Sequence, residues 1–149
     1  MFSVIACVVR SIPSDPSSST RKESSMPKAA FGPPVTTPLS MGIRHGNLLF
    51  ISGQVPIDFD SGAPPPEGIE AQTTMVLETI RDLLAEHGAD LSHVVKTTVF
   101  LTNIDRDFRA MNEVYRTFFP DPKPARSTFE VKLAVDVTIE VEAIAILDD

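Results

Sequence analysis

In the stretch KPARSTFEV, Lys123 to Val131, an arginine stands behind a proline-alanine pair where the chain turns into an alternating, strand-like run. A guanidinium is charged at any working pH and offers a planar fork of donors that matches a carboxylate. Arg126, held at a strand start beside a pocket, would therefore clamp a small acid. An ordinary surface ion pair is the competing reading, and from sequence alone the simpler one. Further on, VTIEVEAIAIL sets Glu140 and Glu142 on one strand face among isoleucine and valine. Partial desolvation there would raise a carboxyl pKa toward the range where it can shuttle protons near neutrality. The alternative is that one or both pair with Arg126 or a lysine across a subunit boundary, and spacing does not separate the two.

Asn112 lies one position off the apolar stripe of a helix and could present its amide to a ligand, although such a residue more often faces water or caps a backbone group. Ser52, in FISGQVP, ends a strand and could donate a hydroxyl; a turn serine before Gly53 is the simpler account. His45, His87 and His93 stand at no metal-ligand spacing, and their places in turns or helix ends suggest solvated side chains. The sequence has no glycine-rich phosphate loop and no G-x-S-x-G elbow, and Ser52 joins no defensible triad. No cofactor is expected.

These residues need elements to position them. MGIRHGNLLFISGQV reads as two short strands around a turn at His45-Gly46-Asn47, and PIDFDSGAPPPEG as an exposed loop. Ile69, Thr73, Val76, Ile80, Leu83 and Leu84 recur at helical spacing, with Gly88 as the stop. Val94 to Thr102 is dense in β-branched residues and predicts a strand. In a second helix Ile104, Phe108, Met111, Tyr115 and Phe118 form one stripe, Asn103 or Asp105 caps the start, and Pro120 ends it. Arg126 to Val131 and Val137 to Leu147 are the remaining strands. None of the 13 prolines interrupts a proposed helix or late strand. The order strand-helix-strand-helix-strand predicts an α+β domain, a sheet with both helices packed on one face.

At 149 residues the chain has room for one domain with a real core, and 42% hydrophobic against 22% charged residues is a globular balance. Residues 1–35, rich in serine and proline, predict a disordered extension ahead of a domain over 36–149. Met26 as the true start and a mitochondrial transit peptide over 1–25 are both compatible with that extension; otherwise the cytoplasm is expected. The lone Cys7 permits no intrachain disulfide. Met1 to Lys28 holds four cations and two carboxylates, so of the net charge of −7 it carries +2 and the rest carries −9. So acidic a body would repel phosphate backbones, and no apolar run approaches bilayer length; neither nucleic acid nor membrane is an expected partner.

The last strand also predicts association. Val137, Ile139, Val141, Ala143, Ala145 and Leu147 share the face that helices would cover, while Glu140, Glu142, Ile144 and Ile146 share the other. With no third helix to shield Ile144 and Ile146, a second copy is the expected cover; a wet face is the alternative.

NLLFISGQVP, VVKTTVFLTNIDRDFRAMNEVYRTFF, KPARSTFEV and IEVEAIA together resemble the RidA/YjgF family of enamine/imine deaminases, in the family's order and over roughly residues 41–146. The resemblance implies a chorismate-mutase-like fold, a homotrimer with active sites between subunits, and no metal or organic cofactor. It assigns the carboxylate clamp to Arg126 and the water-positioning group to Glu140, and lines the cleft with Ser52, Asn112 and Thr128, the last through its backbone groups where relatives carry cysteine. One departure is Leu39, which stands where many members have tyrosine. The implied reaction is hydrolysis of a 2-imino acid to a 2-oxo acid and ammonia. A non-catalytic trimer that senses small carboxylates, or deamination of an aminoacrylate- or aminomuconate-type compound, are the alternatives.

Overall fold

The β-branched runs and the two helical periods assemble, in the computed structural model, into a mixed sheet with both helices on the same face. Residues 27–148 are described. The strands are β1 (Ala29–Phe31), β2 (Gly42–His45), β3 (Leu48–Gln54), β4 (Val94–Leu101), β5 (Ala125–Glu130) and β6 (Ile139–Ile146), in the spatial order β1-β2-β3-β6-β4-β5. The helices are α1 (Ile69–Ala85) and α2 (Ile104–Phe118). All neighbours are antiparallel except β4 and β5, which run parallel because α2 carries the chain back across the sheet between them.

The expected α+β architecture holds. α1 buries every residue of its predicted stripe and adds Gln72 and Leu77. It ends because Gly88 takes φ 70°, which lets the amide of Ala89 reach back to the carbonyl of Leu84 at 3.1 Å. Val76, Leu77, Ile80 and Leu84 are fully buried against Leu49, Val99, Val141 and Ala145 of the sheet. Each such side chain contributes roughly 2 kcal/mol of transfer free energy. β6 divides as its alternation predicts: Ile139, Val141, Ala143 and Ala145 are buried under the helices, and Glu140, Glu142, Ile144 and Ile146 face the helix-free side.

Two expectations change. The extension was expected to be disordered as far as residue 35. Its first 26 residues, including both proposed starts and the transit-peptide segment, lie outside the described residues, but Ala29–Phe31 pairs with β2. Phe31 holds that edge strand down, packing on the core and meeting the ring of His87 edge-on at 4.5 Å. The stripe of α2 is also rotated. Met111 and Tyr115 are buried as expected, whereas Phe108 is 41% exposed and Ile104 and Phe118 pack only at the core's margin. Phe119, just past the helix, supplies the buried ring, tilted by 34° against Tyr115 with centroids 4.5 Å apart. Asp107 takes the remaining buried position because Arg106 closes on it with two hydrogen bonds at 2.7 and 2.6 Å.

Candidate active site

Arg126 enters β5 opposite Thr97 of β4, on the helix-covered face. Its Nη2 donates to Oδ1 of Asn112 at 2.7 Å, and its Cζ lies 4.6 Å from the ring centroid of Tyr115. The local fold fixes both partners. Asn103 caps α2, accepting from the amide of Arg106 at 2.9 Å, and the Asn112 amide donates to the carbonyl of Phe108 at 2.8 Å, which turns its oxygen toward the guanidinium. Tyr115 is pinned from below by a 2.7 Å hydrogen bond with Thr97. Burial pushes its phenol above the ordinary value, so a neutral ring lies under the cation.

No carboxylate among the described residues comes within 4.0 Å of Arg126, so the surface ion pair is not formed within the chain. The guanidinium is oriented by an amide and an aromatic face and keeps its charge uncompensated at the wall of an open cleft of about 600 Å³. Such a group has donors left for an incoming acid.

Glu140 occupies the other face. It is half-buried beside Phe100, its register partner in β4, whose ring stacks on Phe129 at 6.4 Å. Removal from water, and secondarily the charge of Glu142, push its carboxyl above the usual range. Gly53 makes room for it. A Cβ at that position would meet the Glu140 carboxylate, 2.7 Å from its Cδ and 3.0 Å from its Cγ. The register of β3 shifts between Ile51 and Gln54, which sets this bare backbone against the glutamate.

Ser52 lies inside β3 rather than at a turn after it. Its hydroxyl donates to the carbonyl of Ser40 at 2.7 Å while its amide donates to Met41 at 3.0 Å. The serine thus straps the loop that carries Leu39, which is 52% exposed, onto the strand beside Glu140. Thr128 follows Arg126 on the same face of β5. Since Val131 donates to Leu101 and backbone groups alternate sides along a strand, the amide and carbonyl of Thr128 point to the free edge of the sheet.

The chain therefore assembles two half-sites. Arg126, Asn112 and Thr128 gather at the edge under α2; Glu140 meets Gly53 on the helix-free face, with Ser52 just before that glycine on β3. Within one chain the two groups are on opposite sides of the sheet. Tyr115 and Gly53 were not singled out from sequence, because one was counted as core and the other as part of a turn. Of the histidines, His45 is exposed as expected, whereas His93 bridges Asp90 at 3.1 Å and Asp148 at 3.4 Å and His87 packs on Phe31. Among the described residues no three histidine, cysteine or acidic side chains converge as a metal site, and no helix is long and apolar enough to cross a membrane.

Comparison with known proteins agrees with this geometry. The family model described as Endoribonuclease L-PSP matches residues 31–147. A RutC family protein of Pyrococcus abyssi is 48% identical over 109 residues, 72% of this chain and 85% of that one. The 2-iminobutanoate/2-iminopropanoate deaminase of Mus musculus is 37% identical over 131 residues, 87% of this chain and 94% of that one. A crystal structure of the YjgF gene product from E. coli superposes with a TM-score of 0.70 at 35% identity, covering 75% of this chain and 90% of that one.

Proposed function

This chain belongs to the RidA/YjgF family, and we propose that it hydrolyses reactive 2-imino acids to 2-oxo acids and ammonia in a cleft shared by two copies of the chain. The observation that carries the reading is the uncompensated guanidinium of Arg126, oriented by Asn112 and Tyr115 toward an open cleft. In an acidic protein such a cation offers a small carboxylate a planar, charge-assisted fork.

Arg126 takes the substrate carboxylate in its fork, and the outward amide of Thr128 is at hand for a second hydrogen bond. The imine carbon then faces a water held by Glu140 of the neighbouring copy. Because its carboxyl titrates above the usual range, Glu140 is suited to accept the water proton as the carbon-oxygen bond forms and to return it to nitrogen. The carbinolamine hydroxyl then passes its proton by way of Glu140 to the amine, the carbonyl forms as the carbon-nitrogen bond breaks, ammonia leaves and the 2-oxo acid remains. Water, imine and products balance without an oxidant or a cofactor. Orientation supplies most of the acceleration, since imines of this class also hydrolyse unaided.

A second copy is part of the proposal because the half-sites lie on opposite faces of one sheet. It would also cover Phe50 and Ile146, which are 44% and 41% exposed beside Glu140 and Glu142 on the helix-free side. The homotrimer implied by the family resemblance meets both needs. An ammonia-release assay on freshly generated 2-iminopropanoate tests the reading. Acceleration that Glu140→Gln removes while small-acid binding persists supports a deaminase; binding without acceleration supports the sensor.

A further inference from the structure

The cleft beside Arg126 carries more positive charge than one carboxylate requires. In a chain of net charge −7, its walls include Arg109, Arg116, Lys123 and Arg126 against a single carboxylate, Glu113. Two of these cations are engaged elsewhere. Arg116 donates to Glu113 at 2.8 Å, and Lys123 donates to the carbonyls of Arg116 and Phe119 at the end of α2, with Asp121 3.5 Å away. Arg109 has no carboxylate within 4.0 Å among the described residues.

Arg109 precedes Asn112 by three positions, so the two side chains are neighbours on one side of α2, about 4.5 Å apart along the helix axis. Asn112 holds Arg126. The cleft thus presents two guanidiniums without a carboxylate partner among the described residues, Arg126 on Asn112 and Arg109 one turn before Asn112 on the same helix, an arrangement that suits the two ends of a short dicarboxylate. A substrate with one acid group would engage Arg126 and leave Arg109 in water.

We propose that Arg109 is a specificity-determining residue that receives a second acid group, so that the favoured substrates are dicarboxylic 2-imino acids, those derived from acidic amino acids. The proposal rests on the deaminase reading for the identity of the reaction, but not for the binding of the two acid groups. It therefore has a test that does not depend on turnover.

Calorimetric titration of the full chain with 2-oxoglutarate and with 2-oxobutanoate, both stable product-like acids, compares the two charge states directly. The expected result is tighter binding of 2-oxoglutarate by about fivefold, the upper range for a solvent-exposed ion pair. Arg109→Ala should bring the two acids to within about twofold of each other, and Arg109→Lys should keep part of the preference. Equal binding of the two acids by the unaltered protein, or a preference that survives Arg109→Ala, overturns the proposal. Ammonia release from the imines of glutamate and alanine provides the second arm. If 2-oxoglutarate is preferred through Arg109 and neither imine is hydrolysed faster, the deaminase reading fails and the second subsite stands; if both imines are hydrolysed with no preference in binding, the reverse holds.

Discussion

Oδ1 of Asn112 accepts a 2.7 Å hydrogen bond from Nη2 of Arg126, joining the middle of α2 to the second residue of β5 across fourteen positions of sequence. This bond converts a flexible side chain on an edge strand into a fixed cation. It also separates two roles. Arg126 would touch the substrate, and Asn112 would act through Arg126.

Removing the cation should therefore cost more than removing its support. Arg126→Ala is expected to lower kcat/KM about 100-fold, the worth of a charge-assisted bidentate bond of about 3 kcal/mol. Arg126→Lys should recover little, because an ammonium lacks the planar fork and the stacking on Tyr115. Steady-state kinetics on 2-iminopropanoate would check both.

Asn112→Ala should raise KM by about fivefold with kcat little altered, since the guanidinium loses one neutral hydrogen bond of about 1 kcal/mol while keeping Tyr115 beneath it. Asn112→Asp should be worse than alanine. A carboxylate at that position would neutralise Arg126 and compete with the substrate. An alanine variant with the larger loss would remove Asn112 from this positioning role.

Glu140 makes two predictions of opposite sense. As the proton acceptor it must be ionised, so kcat should rise with pH through a value above the usual carboxylate range. For stability the sign reverses. The folded protein holds the Glu140 proton more tightly than the unfolded chain does, so between the ordinary and the raised pKa the native state carries more protons and stability falls as pH rises. Glu140→Gln should then be inactive yet more stable than the unaltered protein above the raised pKa, with the difference vanishing below the ordinary one. Because Glu140 is only half-buried, solvent screening keeps the gain under about 1 kcal/mol. Thermal melts across pH would measure it.

Gly53→Ala should deprive the protein of activity without unfolding it. The added methyl group would meet the Glu140 carboxylate, a side-chain end that can swing away at little cost to the fold but not to the chemistry. Loss of kcat with a melting temperature within a few degrees is expected; unaltered kcat would mean that Glu140 does not need the place that Gly53 leaves for it.

The elements were legible because their signals are periodic. The apolar spacing of α1 and the alternation of β6 each emerged as predicted, down to which residues face the helices. The stripe of α2 was less so, because Phe108 and Asp107 exchange the environments that their polarity predicts. That exchange follows from Arg106 pairing with Asp107 and from Phe108 lying 5.9 Å from the Arg126 guanidinium, and neither contact leaves a mark on hydropathy. β1 was missed for a similar reason. Three residues beside paired prolines have no period to read, and Phe31 is held by tertiary packing.

At the site, residue types were readable and their separation was not. Arg126 and Glu140 stand on different strands, and which face each takes depends on register. The alternation of β6 already sets Glu140 on the face away from the helices, but only the paired strands show that Arg126 lies opposite Thr97 under the helices, on the other side of the sheet. Gly53 carries no chemistry of its own, so its part appears only beside the glutamate it accommodates.

The shared cleft is tested most directly by complementation. Arg126→Ala and Glu140→Gln, each inactive alone, would be unfolded, mixed in equal amounts and refolded together, and ammonia release from 2-iminopropanoate measured. If the clamp of one chain works with the glutamate of its neighbour, random assembly gives an intact pair at about a quarter of the sites, and about a quarter of the unaltered activity should return. Activity that stays at the level of the separate variants, in mixtures shown to have exchanged subunits, would contradict a site built by two chains.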